Sequence, residues 1–235
     1  AGGTGMVGIP LTKKLYDLGA NIYIASLDKI KKDQKKLIRK FYKVDLINVN
    51  NCLKVTKKMD IVFNLLGVTG SPQINYSNPG SFMMSNLYCA VNLLYASQKN
   101  NVKRYLYTST YGVYGKSLKM KEENVWKTFP SENDRYAGWA KRMGELQMEA
   151  YRVEDNFKNY SIIRPANIYG PYDNFDRKNS MVVPSLIRRA LETDDVLEVW
   201  GDGSAIRDFV FCEDVARGML HAVNNKISLP MNIGS

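Results

Sequence analysis

The stretch AGGTGMVGIPLTKKLYDLG, residues 1–19, decides how the rest of the chain is read. Gly2, Gly5 and Gly8 stand three apart, and the residues after them keep apolar side chains at helical spacing until Gly19. A glycine turn opening into a helix belongs to a strand–turn–helix unit of a parallel sheet, and the following segments keep that rhythm. NIYIASL (21–27) reads as a strand, the lysine-rich stretch after it as a helix, and FYKVDL (41–46) as a short strand. DIVFNLLG (60–67) is an apolar run suited to a strand buried on both faces. A long helix (81–101), a strand (102–110), a helix (136–152) and a strand with a turn (160–170) follow. The alternation predicts an α/β fold, a doubly wound parallel sheet with helices on both sides.

The chain is expected to divide into a dinucleotide-binding part, 1–170, and a part 171–235 made mainly of a small substrate lobe. In the latter, 213–235 returns to the sheet, and MNIGS at the end reads as a strand. Because a glycine turn of this kind follows a strand, a first strand is expected ahead of Ala1, and the sequence reads as clipped at both ends.

Composition narrows the classes. Hydrophobic residues make up 45% of 235, ordinary for a globular protein, and no apolar run approaches the roughly 20 residues that span a bilayer. Cys52, Cys89 and Cys212 are far apart and form no metal or redox spacing, so buried thiols in a cytoplasmic protein are expected. The net charge of +10 is concentrated in residues 28–43. Those lysines fall on all sides of any helix and are not interleaved with aromatics, so a solvated surface is expected rather than a nucleic-acid face.

A glycine turn entering a helix lets backbone N–H groups approach a pyrophosphate, with the helix dipole favouring the charge. Gly2, Gly5 and Gly8 are therefore expected to hold a dinucleotide. Its adenosine ribose falls near the end of the second strand, at Ser26 and Asp28. Asp28 could grip a 2′-hydroxyl, or Ser26 and a lysine could accept a 2′-phosphate; NAD is expected, with NADP open. Asp45 either contacts the adenine side or caps the next turn.

The motifs GGTGMVG, YLYTSTYGVYG, YAGWAKRMGE, RPANIYGPYDNF and VWGDGSAIRDFVFCEDVARGML occur in this order. With them the chain resembles the extended short-chain dehydrogenase/reductases, the NAD-dependent epimerase/dehydratase family acting on nucleotide sugars. GPYDNF, NSMVVPSLIRRALE and VWGDG are most similar to its GDP-fucose synthase branch. The resemblance implies a Rossmann-like fold, a homodimer, and transient hydride transfer at a sugar carbon of a nucleoside-diphosphate sugar. It implies Thr110, Tyr136 and Lys141 as the catalytic set, with Lys141 also beside the cofactor, and Asn86, Asn167, Arg188, Trp200 and Arg207 on the substrate side. A guanidinium suits two diphosphate oxygens, the role implied for Arg207.

The sequence departs from the family at one telling place. The family tyrosine lies four residues before its lysine; here Ala137 holds that position and Tyr136 is one earlier. Positions four apart lie about 40° from each other on a helix and positions five apart about 140°. Tyr136 works as the acid/base if the first turn is irregular or bulged; otherwise another group such as Tyr111 or a water does so, or redox catalysis is lost. Tyr111 and Gly112 stand where the family's dehydratases carry an Asp-Glu pair, so epimerisation is favoured over dehydration. Gly112 and Met181 stand where fucose synthases carry their epimerising cysteine and histidine, and the lone His221 is far from any motif. The readings are thus a nucleotide-sugar epimerase or oxidoreductase, or a dinucleotide-binding sensor on the same scaffold.

Overall fold

A computed structural model describes residues 1–68, 77–117, 119–154, 156–199 and 201–235. In chain order the elements are α1 (Gly8–Asp17), β1 (Tyr23–Ser26), β2 (Lys40–Lys43), α2 (Val49–Thr56), β3 (Ile61–Asn64), α3 (Pro79–Lys99) and β4 (Arg104–Thr108). They continue with α4 (Arg135–Glu154), β5 (Tyr160–Pro165), β6 (Asn167–Tyr169), α5 (Val182–Glu192), β7 (Phe209–Phe211), α6 (Cys212–Asn224) and β8 (Met231–Ile233). Every strand pair is parallel, in the orders β1-β2, β3-β4-β5-β8 and β6-β7.

The period of two along β4 shows why helices cover both faces. Tyr105 and Tyr107 enter a core shared with Leu93 and Leu94 of α3 and Met148 of α4. Leu106, between them, enters a second core with Leu11 of α1 and Val215 and Met219 of α6. Helices α3 and α4 approach closely because Gly144 leaves room: a Cβ there would lie 2.6 Å from Tyr107 Oη and 3.1 Å from Ala90 Cβ. No helix among the described residues is long and apolar enough to cross a membrane.

A buried ion pair is built into this interior. Arg164 of β5 pairs with Glu145 of α4 at 2.7 Å, both almost fully buried. Nε and Nη2 both donate to Glu145, Nη1 donates to Tyr114 Oη (2.9 Å) and the Glu122 carbonyl (3.0 Å), and Tyr114 donates to Asn232 Oδ1 (2.7 Å). One guanidinium thus ties β5, α4, the 111–122 loop and β8 together, with its donors satisfied as a buried charge requires.

Two expectations are corrected. The lysine-rich stretch is not a helix; only a 3-10 turn, Asp33–Lys36, forms there, because lysines on every side leave no apolar stripe to dock. Its one buried residue is Gln34, whose Nε2 donates to the Gly3 carbonyl at 2.7 Å. The run 61–64 is not buried on both faces: Ile61 is exposed and Phe63 half-buried. Between β1 and β3 lies an open groove lined by Leu11, Ile24, Val62, Phe63 and Leu93. The Ala1–Gly2 dipeptide crosses it, Gly2 N donating to the Ala25 carbonyl (2.8 Å) and Leu65 N to the Ala1 carbonyl (3.1 Å).

Candidate active site

The glycine turn is shaped by contacts that only glycine permits. Gly2 takes φ +74°, in the left-handed region. A Cβ on Gly8 would lie 2.5 Å from the Cα and carbonyl carbon of Gly3, so α1 starts pressed against the turn. At Gly5 a Cβ would meet only the Gly2 carbonyl, at 3.5 Å, and no side chain caps α1. This open, uncapped helix start fits a diphosphate. Behind it, Thr4 and Ser26 join their hydroxyls at 2.7 Å, and Asp28 N donates to Ser26 Oγ at 3.3 Å. Ser26 is thus buried as a brace between turn and strand, while Asp28 stays exposed at the rim. Asp45 Oδ1 accepts from Ile47 N at 2.9 Å, the turn-capping option of its two readings.

Lys141 lies at the centre. It projects from α4 into the interior, where Nζ donates to the carbonyls of Leu66 (2.8 Å) and Thr108 (2.9 Å), just beyond β3 and at the end of β4. The ammonium sits over the Tyr107 ring, 5.2 Å from its centroid. Burial pulls its pKa down from 10.5 to about 8, against smaller opposing effects of Cys89 and Glu145. Gly67 leaves space beside it, since a Cβ there would lie 3.4 Å from Nζ.

Asn86 of α3 holds the adjoining loop. Its Oδ1 accepts from Val68 N at 3.0 Å and its Nδ2 donates to the Val68 carbonyl at 3.2 Å. Asn64 supports the same loop, Oδ1 accepting from Leu66 N at 3.0 Å. Thr110, two residues past β4, caps a 3-10 turn by accepting from Gly112 N at 3.1 Å. An acceptor so engaged leaves the hydroxyl proton to be donated. The neighbouring buried side-chain hydroxyls of Thr108 and Ser109 have no hydrogen-bond partner among the described residues.

Tyr136 is the second residue of α4, which is regular α-helix from Arg135, so the angle of about 140° to Lys141 stands without a bulge. Tyr111 points elsewhere: its phenol and the Asp208 carboxylate both crowd Gly234, and burial together with Asp208 raises its pKa.

On the substrate side, Asn167 and the 207–208 segment come together, Asn167 Nδ2 donating to the Asp208 carbonyl at 2.9 Å. Arg207 is exposed and donates to the Ile206 carbonyl at 2.9 Å; Asp208 accepts from Ser235 and Asp214 pairs with Arg217, so neither acid holds it. Arg188 pairs along α5 with Glu192 at 2.9 Å. Trp200 lies outside the described residues. Sequence reasoning missed the carbonyls that hold Lys141, which are backbone atoms, and Gln34 and Asp134, which reach the site by tertiary contact alone.

The residues 1–234 match the NAD dependent epimerase/dehydratase family. The chain belongs to that family and carries its Rossmann-like α/β fold. GDP-L-colitose synthase of Yersinia pseudotuberculosis is 32% identical over 183 residues, which are 75% of this chain and 59% of that protein. GDP-mannose 3,5-epimerase 1 of Oryza sativa subsp. indica is 29% identical over 243 residues, which are 100% of this chain and 63% of that protein. The chain thus spans about three fifths of the length of these curated relatives. Among solved structures, UDP-glucose 4-epimerase of Thermotoga maritima with UDP-glucose superposes with a TM-score of 0.83 at 26% identity, covering 100% of this chain and 75% of that one.

Proposed function

We propose that the protein is an NAD(P)-dependent nucleotide-sugar epimerase or oxidoreductase. The observation that carries this is the buried Lys141 ammonium, held by two carbonyls beside a glycine-lined space. Gly2, Gly5 and Gly8 would take the cofactor diphosphate, Asp28 its adenosine ribose, and Lys141 its nicotinamide side. NAD is the expected form, with NADP as the alternative to test. The bound nicotinamide would supply the hydride acceptor and donor. Thr110 would donate its proton to the reacting sugar oxygen, and Lys141, positive below about pH 8, would favour negative charge developing there.

Asn167 and Arg207 would hold the nucleoside diphosphate of the substrate, with Arg188 and Trp200 as further contacts. Residues 1–170 would form the cofactor part, and 171–235 mainly the substrate lobe, with 213–235 returning to the sheet. Exposed Met84, Tyr88 and Tyr95 on α3 and Leu146 on α4 support a homodimer through these helices. Three free cysteines support a cytoplasmic location.

The test is turnover. The protein is incubated with NAD or NADP and UDP-, GDP-, CDP- and dTDP-sugars, GDP-sugars first because the curated relatives are named for them. Products are followed by chromatography. A new sugar isomer supports the reading. Cofactor binding without any turnover refutes it and favours a dinucleotide sensor, the alternative suggested by Ala137 one turn before Lys141.

A further inference from the structure

A sugar hydroxyl oxidised beside Thr110 and Lys141 must lose its proton to some group, and the following inference rests on the enzymatic reading above. One turn before Lys141 the helix offers only the methyl group of Ala137. Asp134 lies seven residues before Lys141. The 3-10 turn Glu132–Asp134 runs directly into α4 at Arg135, so Asp134 stands just ahead of the helix that carries Lys141.

An independent contact points to the same carboxylate. Gly112 N donates to Thr110 Oγ1 at 3.1 Å. The space in front of Gly112 is filled by Asp134: a Cβ on that glycine would lie 3.1 Å from Asp134 Cβ and Cγ and 3.2 Å from Oδ1. The carboxylate therefore abuts the turn that presents the Thr110 hydroxyl. Its other oxygen, Oδ2, accepts from Ser131 Oγ at 3.0 Å, and its own N–H donates to the Ser131 carbonyl at 3.0 Å. These bonds fix the group and turn Oδ1 toward Gly112. Asp134 forms no salt bridge among the described residues, and neighbouring Arg135 pairs with Glu132 instead.

We propose that Asp134, not Tyr136, is the acid/base of the redox step. As the C–H bond of the sugar breaks and its two electrons leave with hydrogen for the oxidised nicotinamide, the O–H bond breaks and its proton passes to Asp134 Oδ1, leaving a C=O group. On return, hydride comes back to that carbon and the protonated carboxyl gives its proton back to the oxygen. Lys141 and Thr110 stabilise the oxygen in both directions.

The experiment compares Asp134→Asn, Asp134→Ala and Tyr136→Phe with the parent protein, using the sugar the parent turns over. Both Asp134 variants are expected to lose roughly 100-fold or more in kcat, and Tyr136→Phe to stay within about fivefold. Formate is expected to restore part of the Asp134→Ala rate. A second readout needs no cofactor: calorimetric titration with the nucleotide sugar and with its nucleoside diphosphate alone. Asp134→Asn should weaken the intact sugar about tenfold, through loss of a charge-assisted hydrogen bond, and leave the diphosphate unchanged. Weakening of both ligands together with lower melting would mark Asp134 as structural and overturn the assignment. Retained turnover in Asp134→Asn, with Tyr136→Phe inactive, would overturn it too while leaving the enzymatic reading intact. A parent protein that binds cofactor and turns over no sugar overturns both.

Discussion

Replacing Lys141 by methionine separates the cost of its buried charge from the value of its hydrogen bonds. Burial lowers the lysine to about 8 in the folded protein, against 10.5 ordinarily. Between those values the unfolded chain keeps a proton that the folded chain has released, so stability rises with pH. The gap of about 2.5 pH units, at about 1.36 kcal/mol each, makes the penalty about 3 kcal/mol. It is fully present below about pH 8 and gone above 10.5. Methionine removes that penalty but strands the Leu66 and Thr108 carbonyls, at about 1–3 kcal/mol each. Near pH 7 these effects oppose, and the variant should be equal to the parent or up to about 3 kcal/mol less stable. The pH dependence is the cleaner quantity, because all other titrating groups are shared. From pH 7 to 11 the parent should gain about 3 kcal/mol on the variant, or roughly 6–12 °C in melting temperature for a chain of this size. Circular-dichroism melts of both proteins across that range measure it. Parallel curves, within about 1 kcal/mol throughout, would refute the reasoning and mean that Lys141 stays solvated.

Gly8→Ala should push α1 off the Gly3 backbone, costing about 1–3 kcal/mol and sharply weakening dinucleotide binding, read by melting and by nicotinamide fluorescence titration. Glu145→Gln leaves the Arg164 guanidinium buried without a counter-charge and should cost about 3–5 kcal/mol in urea unfolding. Gln34→Leu removes the bond to Gly3 together with the unpartnered Oε1 and should stay within about 1 kcal/mol of the parent. Gln34→Glu sets a carboxylate against a carbonyl and should be several-fold worse at neutral pH, recovering in acid; equal melting of the two variants would contradict this.

What the sequence made legible is what periodicity and glycine encode. Residues 1–19 show a turn and a helix because backbone geometry there demands glycine, and β4 shows its place because both neighbours of Leu106 face the opposite core. The lysine-rich stretch misled because composition favours helix while only packing fixes one, and its one buried side chain is a glutamine. At the site, Lys141 was visible through its motif, but its environment was not, since its partners are carbonyls of residues with ordinary side chains. Only the resemblance points to Asn86; its bonds to Val68 give it loop-holding work that no spacing announces. Asp134 stayed hidden because its significance depends on what Gly112 lacks.

The buried arginine has a consequence for how the molecule opens. Arg164 reaches α4 through Glu145, the 111–122 loop through Tyr114 and the Glu122 carbonyl, and β8 through Tyr114 and Asn232. None of these can leave alone without stranding a buried charge or the groups that satisfy it. Elements joined in that way open as one unit. Amide protons of β5, α4 and the three-residue β8 should therefore exchange with deuterated solvent at similar rates, all close to that of complete unfolding. A strand that its length alone would leave to fray is clamped from the inside.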